Sequence, residues 1–424
     1  MSLRRAPFKM GVAAMKMRLD DLTYTLESSL VQGPRHALYR ARCGAAQDAC
    51  LLKILKPRVY QMQDLEQLKH EWRIGARLRG LPGVLQPRTL HLGSDTPALA
   101  YEPFEGVPLE QLEAPLTLDA GLPLACALAA ALGQVHACKV VHKDLKPQAI
   151  LAAGATVKIT HFGIAAHLPQ DLPVLGTRGV IEGTLAYMAP EQTGRMNRGV
   201  DYRSDLYAVG MLLFELLAGR PAFEAQGPLE WIHAQIAREP LRLDAVNPSV
   251  PAPLAAVIAK LQAKMADDRY QTVRGLEADL ERCRDAWQRT GVMPDLDLGA
   301  EDVPRRFLIP ERLYGREAHV DALVRAFDRQ MQDPRHGAVV VAGTSGMGKT
   351  SLIHALYRPI VRHRGKFISG KFDQYQRHIP YAGLSAALND LVVQSLSEPE
   401  AALQALRARL DVALAGNAAV LVEL

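Results

Sequence analysis

The sequence predicts an α+β chain in two parts: a bilobal domain, with a small β-rich lobe ahead of a larger helical one, and then an incomplete α/β domain. Three observations predict it. Short β-like runs broken by turn residues fill residues 24–55, whereas long helical periodicities dominate after Tyr101. A polar, acidic stretch at residues 290–310, carrying Pro294 and Pro304, reads as an interdomain linker. Beyond it the apolar run Ala338-Val339-Val340-Val341-Ala342, which reads as a buried strand, leads straight into a glycine-rich turn. At 424 residues the chain is long enough for two or three cores.

Residues 1–19 read as an N-terminal extension. Arg4, Arg5, Lys9 and Lys16 are basic, but residues 10–15 are too brief for the apolar centre of a secretory signal, and a true start nearer Met17 accounts for them. Residues 38–43 and 49–55, joined by a turn at 44–48, predict a hairpin, and residues 65–78 a helix. Helices follow at 122–137 and 205–217. The most apolar stretch, residues 122–138, contains Pro123, Gly133, Gln134 and His136 and falls short of the roughly 20 residues a membrane span needs. It reads as a core helix, and no membrane span is expected.

Composition narrows the function classes. An apolar fraction of 48% and a charged fraction of 22% are ordinary for a globular protein. The net charge of +5 arises from 50 basic and 45 acidic residues spread along the chain, so no concentrated field marks a nucleic-acid groove. The five cysteines are odd in number and lack zinc-finger spacing, which predicts free thiols in a reducing cytoplasm. Cys43 and Cys50 could face each other across the hairpin, although buried structural thiols are the simpler reading.

Five motifs fall in order along residues 142–270. They are His142-Lys143-Asp144-Leu145-Lys146-Pro147-Gln148-Ala149-Ile150-Leu151, His161-Phe162-Gly163, Gly183-Thr184-Leu185-Ala186-Tyr187-Met188-Ala189-Pro190-Glu191, Asp205-Leu206-Tyr207-Ala208-Val209-Gly210 and Asp268-Arg269-Tyr270. Their order and spacing resemble the catalytic loop, D-F-G, A-P-E and late-helix elements of bacterial serine/threonine protein kinases, over residues 20–288. The resemblance implies a bilobal protein-kinase fold. It places Lys53 on the α- and β-phosphates of ATP with Glu71 as its ion-pair partner, and Gly33 in the phosphate-covering loop. It makes Asp144 the residue that accepts or orients the substrate hydroxyl proton, Lys146 the neutraliser of the transferring phosphoryl group, and Thr184 a selector of hydroxyl substrates. Without that context, Lys53 and Glu71 would read as a solvated surface pair.

The departures from the family pattern fall on chemistry. The two Mg²⁺ anchors, the D-F-G aspartate and the catalytic-loop asparagine, are replaced by His161 and Ala149. An imidazole is a poor ligand for a hard cation that prefers oxygen, and a methyl group is none. Val31 and His36 stand where two of three loop glycines would be, Leu51 replaces the small residue over the adenine, and Lys143 replaces an arginine that reads a phosphorylated activation segment. The expectation is a pseudokinase or a severely weakened kinase; an active enzyme using Mn²⁺, with His161 as a nitrogen ligand, or using no metal is the alternative.

Behind the linker, Gly343-Thr344-Ser345-Gly346-Met347-Gly348-Lys349-Thr350 fits G-x-x-x-x-G-K-[ST] at every required position. Its backbone N–H groups would cradle phosphate, Lys349 would reach the β- and γ-phosphates of ATP, and Thr350 would hold Mg²⁺. Leu313-Tyr314-Gly315-Arg316-Glu317 and Gly370-Lys371-Phe372-Asp373-Gln374-Tyr375 resemble elements of bacterial signal-transduction ATPases of the AAA/STAND type. No acidic Walker B strand is recognisable, although residues 418–422 are strand-like. The expected arrangement is therefore residues 20–288 as the kinase-like domain, 289–310 as linker and 311–424 as the first part of a truncated P-loop NTPase domain. This order resembles large bacterial hybrid proteins that add a GAF sensor and a histidine kinase, which implies a role in signal transduction with ATP and a protein substrate or partner. Three readings stay open: a serine/threonine transferase, a silent scaffold, and an ATP-driven switch.

Overall fold

Alternating apolar side chains build the first lobe as an antiparallel sheet of six strands. The computed structural model describes residues 15–168, 182–194, 198–303, 315–332, 337–344, 346–363, 365–372, 381–396 and 400–414. The strands β1 (Met15–Leu19), β2 (Leu22–Gln32), β3 (His36–Cys43), β4 (Asp48–Leu55), β5 (Pro87–His91) and β6 (Ala98–Tyr101) lie in the order β1-β2-β3-β4-β6-β5. β1 lies within the stretch read from sequence as an extension, yet it pairs with β2 from Met15↔Leu26 to Leu19↔Leu22. In the β3–β4 hairpin Cys43 faces Asp48 and Cys50 faces Ala41, so the two thiols are out of register; all five cysteines are free.

Central strand β4 is buried from Cys50 to Leu55 because both of its faces are covered. Cys50, Leu52 and Ile54 pack on one side with Leu26, Ala37 and Ala98. Leu51 and Leu55 pack on the other with Leu68 of α1 (Met62–Arg77), and strand alternation puts Lys53 on that same side. The buried residues of α1 are Leu68, Glu71, Ile74 and Gly75, a single helical face, so Glu71 is turned inward toward the sheet.

The second lobe is helical, with small β7 (Val107–Pro108), β8 (Val140–Val141), β9 (Ile150–Ala153), β10 (Thr156–Ile159) and β11 (Ala166–His167) near the cleft. Its helices are α2 (Leu118–Ala137), α3 (Tyr202–Ala218), α4 (Pro228–Ala237), α5 (Leu243–Val246), α6 (Ala252–Leu261) and α7 (Val273–Thr290). At 20 residues α2 is longer than its sequence suggested, and by length and composition alone it could cross a membrane. Instead 61% of its most apolar window is buried within the protein, where Leu128, Ala129, Leu132 and Val135 join the main core. α3 approaches α6 closely at Gly210, where an added Cβ would stand 2.6 Å from that of Leu261.

After α7 the chain turns at Gly291, in the left-handed region at φ 67°, and folds back on the helical lobe. Met293 is buried, and Asp302 accepts bonds from the backbone N–H of Gln271 (2.6 Å) and Thr272 (2.9 Å) and from the Thr272 hydroxyl (2.8 Å) at the start of α7. A carboxylate there satisfies donors that have no partner within the helix. Asp302→Ala is expected to cost about 1–2 kcal/mol in chemical denaturation, and Asp302→Asn less than half of that.

The regular elements among the remaining described residues are helices: α8 (Glu317–Gln332), α9 (Lys349–His354), α10 (Tyr357–Arg362), α11 (Ala382–Leu396) and α12 (Glu400–Leu414). Here the structure corrects the sequence reading. Residues 338–342 form no strand, and Val339 and Val340 are 61% and 88% exposed. A parallel strand is stable only between neighbours that take up its N–H and C=O groups, and no strand lies beside this run among the described residues. The α/β sheet expected of a P-loop domain is therefore absent from them. The strand-like run at 418–422 and residues 373–375 lie outside the described residues.

Candidate functional site

Between the lobes, the structure brings the kinase-like residues of distant segments into one cleft. Lys53 and Glu71 form a buried pair, Nζ to Oε2 2.6 Å, which overturns the solvated-pair reading that their local sequence alone supports. Glu71 Oε1 also accepts from the Tyr101 hydroxyl (2.8 Å) and from the backbone N–H of His161 (2.8 Å). Burial alone would push the Glu71 carboxyl up, but the Lys53 ammonium and these donors outweigh it and hold it below the ordinary carboxylate range. Tyr101 was not singled out from sequence; it ends an apolar strand, and only the fold shows its hydroxyl reaching α1.

Asp144, Lys146 and Thr184 form a closed triangle. Lys146 Nζ donates to Asp144 Oδ2 (2.5 Å) and to Thr184 Oγ1 (3.1 Å), while the Thr184 hydroxyl donates to Asp144 Oδ1 (2.7 Å). The loop is anchored from below: Asp205 accepts from the backbone N–H of His142 (2.8 Å) and Lys143 (2.9 Å), and the His142 ring meets the Thr160 carbonyl at 2.8 Å and lies 4.7 Å from the Phe162 ring. Lys143 is paired with Glu182 at 3.0 Å, so a carboxylate already meets the cation that the family would offer to phosphate.

His161 and Ala149 sit where the resemblance put the metal anchors. Ala149 is fully buried. His161 is 7% exposed, with φ 66°, a region that His, Asn and Asp enter more readily than bulkier residues. Neither ring nitrogen has a hydrogen-bond partner, an arrangement that costs about 1–3 kcal/mol. Burial, then the nearby Lys53, His36 and Lys146, hold its pKa well below the usual imidazole value. His36 lies 5.4 Å away, ring to ring, and is lowered to about 4 by burial and Lys53. Both rings are thus neutral near pH 7.

The loop over this cleft is a tight turn, with Gly33 N–H on the His36 carbonyl at 2.9 Å. Its Arg35 is tied to Asp64 of α1 at 3.2 Å. Among the described residues, the carboxylates at this part of the cleft are engaged: Asp64 by Arg35, Asp144 by Lys146 and Thr184, Glu71 by Lys53. A family-type Mg²⁺ does not fit this donor set, since the two side chains at its anchor positions are an imidazole and a methyl group. Leu51 is fully buried opposite Tyr101 in the sheet register.

The glycine-rich turn is placed apart from these residues in sequence and differs in character. Gly346 and Gly348 have φ 82° and 79°, conformations that favour glycine. Lys349 Nζ donates to the carbonyls of Gly343 and Thr344, both at 2.8 Å, so it is folded onto its own loop. Gly343, Thr344, Met347 and Thr350 are exposed, and Ser345 lies outside the described residues. Gly315-Arg316-Glu317 opens α8, whereas Leu313 and Tyr314 lie outside them.

Comparison with known proteins finds a family match for each region. The protein kinase domain family matches residues 24–277, and the AAA ATPase domain family matches residues 312–423. The hybrid signal transduction histidine kinase G of Dictyostelium discoideum is 34% identical over 260 residues, which are 57% of this chain and 8% of that protein. Serine/threonine-protein kinase Pkn1 of Myxococcus xanthus is 31% identical over 269 residues, 61% of this chain and 38% of the relative. PknB of Mycobacterium tuberculosis is 32% identical over 190 residues, 44% of this chain and 30% of the relative. The chain thus spans well under half the length of each of these relatives.

Proposed function

We propose a function from the premise that this chain belongs to the protein kinase family and carries an AAA-type ATPase region behind its kinase domain: it is a signal-transduction protein whose kinase lobe engages ATP and a protein partner but is impaired in phosphoryl transfer. The observation that carries this reading is His161, a buried neutral imidazole at the metal-anchor position, with Ala149 at the other. Phosphoryl transfer in this family depends on metal ions that bridge the phosphates and neutralise developing charge. The buried Lys53–Glu71 pair and the held Asp144 and Lys146, to which we give the positioning of nucleotide and partner, support binding without chemistry.

The intact triangle of Asp144, Lys146 and Thr184 favours one competing reading, a residual serine/threonine transferase using Mn²⁺. Incubating the full chain with radiolabelled ATP and either Mg²⁺ or Mn²⁺ tests the pair. The expected result is no incorporation above that of an Asp144→Ala variant with either metal. Incorporation that Asp144→Ala abolishes would establish the transferase.

For the second half we propose that residues 343–350 bind ATP once Lys349 leaves the carbonyls of Gly343 and Thr344 for phosphate, with the Thr350 hydroxyl as the group that would hold Mg²⁺. Fitting nucleotide titrations of the full chain to two sites should show the Mg²⁺-dependent site lost in Lys349→Ala. Retention of both sites would remove the glycine-rich turn from the nucleotide chemistry.

A further inference from the structure

Resting on the reading of the kinase lobe as a binder, the orphaned ring of His161 points to the form in which nucleotide enters. In an aspartate-bearing cleft of this family a carboxylate faces the phosphates, and only a bridging cation makes the approach favourable. Here that carboxylate is gone. The ring in its place lies nine-tenths buried at the wall of the cleft, together with His36, Lys53, Asp144 and Lys146, and its nitrogens have no protein partner. Its backbone N–H is already committed to Glu71, so the ring is the part of His161 left to bind something else. A neutral imidazole offers one N–H donor, which suits an anionic oxygen and not a hard cation.

We propose that this cleft takes a nucleoside triphosphate as the metal-free anion, with the His161 ring N–H and the ammonium groups of Lys53 and Lys146 on its phosphate oxygens. Both lysines reach the same wall, held by Glu71 at 2.6 Å and Asp144 at 2.5 Å, so their charges are oriented before the ligand arrives. Replacing an aspartate by a neutral donor makes the net charge facing the phosphates one unit more positive, and the site no longer needs a cation to offset repulsion. His36 lies 5.4 Å from the ring, centroid to centroid, and both ring nitrogens are closed to solvent beside it, so the ring turns toward the cleft to donate.

The test measures ATP binding by equilibrium dialysis on the full chain carrying Lys349→Ala, which silences the glycine-rich turn, in EDTA and in MgCl₂. Expected is binding in EDTA within about threefold of that in MgCl₂. Adding His161→Ala should weaken binding in EDTA about tenfold, roughly 1.4 kcal/mol, whereas His161→Asn, which keeps an N–H donor and tolerates the left-handed backbone, should stay within about threefold of the parent. His161→Asp should lose binding in EDTA and regain it with Mg²⁺. Binding that requires Mg²⁺ in the parent, no binding in either buffer, or equal binding by the His161→Ala variant in EDTA would each overturn the proposal. The same samples separate it from the reading beneath it: phosphate incorporation would overturn impairment, whereas a Mg²⁺ requirement without incorporation would overturn this inference alone.

Discussion

Restoring both oxygen donors, Ala149→Asn with His161→Asp, is expected to raise Mg²⁺-dependent autophosphorylation by about a hundredfold or more over the parent chain. A metal that polarises phosphoryl oxygens contributes several kcal/mol to the transition state, and each 1.36 kcal/mol is a factor of ten in rate. The groups around them are already ordered: the Lys53–Glu71 pair is closed at 2.6 Å, Asp144 is held by Lys146 and Thr184, and Asp205 holds the backbone of residues 142–143. The backbone at position 161, with φ 66°, accepts aspartate without new strain. Single restorations should do little, since each leaves one side of the phosphates without an anchor. Incorporation of labelled phosphate from ATP into the chain itself, with Mg²⁺, reads the gain. No gain from the double variant, with nucleotide still bound, would move the lesion to the covering loop, where Val31 and His36 replace glycines.

Arg269→Ala is expected to destabilise the helical lobe by about 3–5 kcal/mol, because it strands a buried carboxylate. Arg269 is 1% exposed and donates through Nη1 and Nη2 to the two oxygens of Glu191, at 2.7 and 2.9 Å, and further to the carbonyls of Ala263, Arg203 and Lys264. Glu191 also accepts from the Ser204 hydroxyl at 2.7 Å. Burial alone would raise the Glu191 carboxyl, but the Arg269 charge and these bonds hold it at about 2. Since the folded value lies below the unfolded one, near 4.3–4.5, the pair's contribution is complete above that value. It is lost as pH falls from there toward 2 and does not change between pH 6 and 8. Thermal unfolding should show a fall of roughly 6–20 °C in Tm for the variant at neutral pH. The deficit should shrink on acidification as the parent loses the same contribution. An unchanged Tm would show that the pair is dispensable.

Much of the kinase lobe was legible because its signals are local. Residues 38–55 alternate and turn as a hairpin must, 65–78 carry one apolar face, and the motifs from His142 to Arg269 keep their spacing. What was missed is non-local. Met15–Leu19 has no strand signal strong enough to separate it from a loose extension, and only pairing with β2 makes it a strand. Tyr101 reads as one more apolar strand residue, and Asp302 as one more linker acid. Their roles exist only once α1 and the start of α7 are brought to them.

The sequence by itself determined the order of the two matched regions and which chemical groups stand at positions 149 and 161, where the family resemblance implies metal anchors, since residue identity at a fixed motif spacing needs no coordinates. Tertiary structure decided what those groups experience. It buried Lys53 with Glu71, left the nitrogens of His161 without partners, engaged Asp64 and Asp144, and left Val339 and Val340 exposed. The physical reason is that burial, charge pairing and sheet formation are properties of neighbours: an apolar run becomes a strand, and an imidazole becomes a neutral donor, only through what the fold sets beside it.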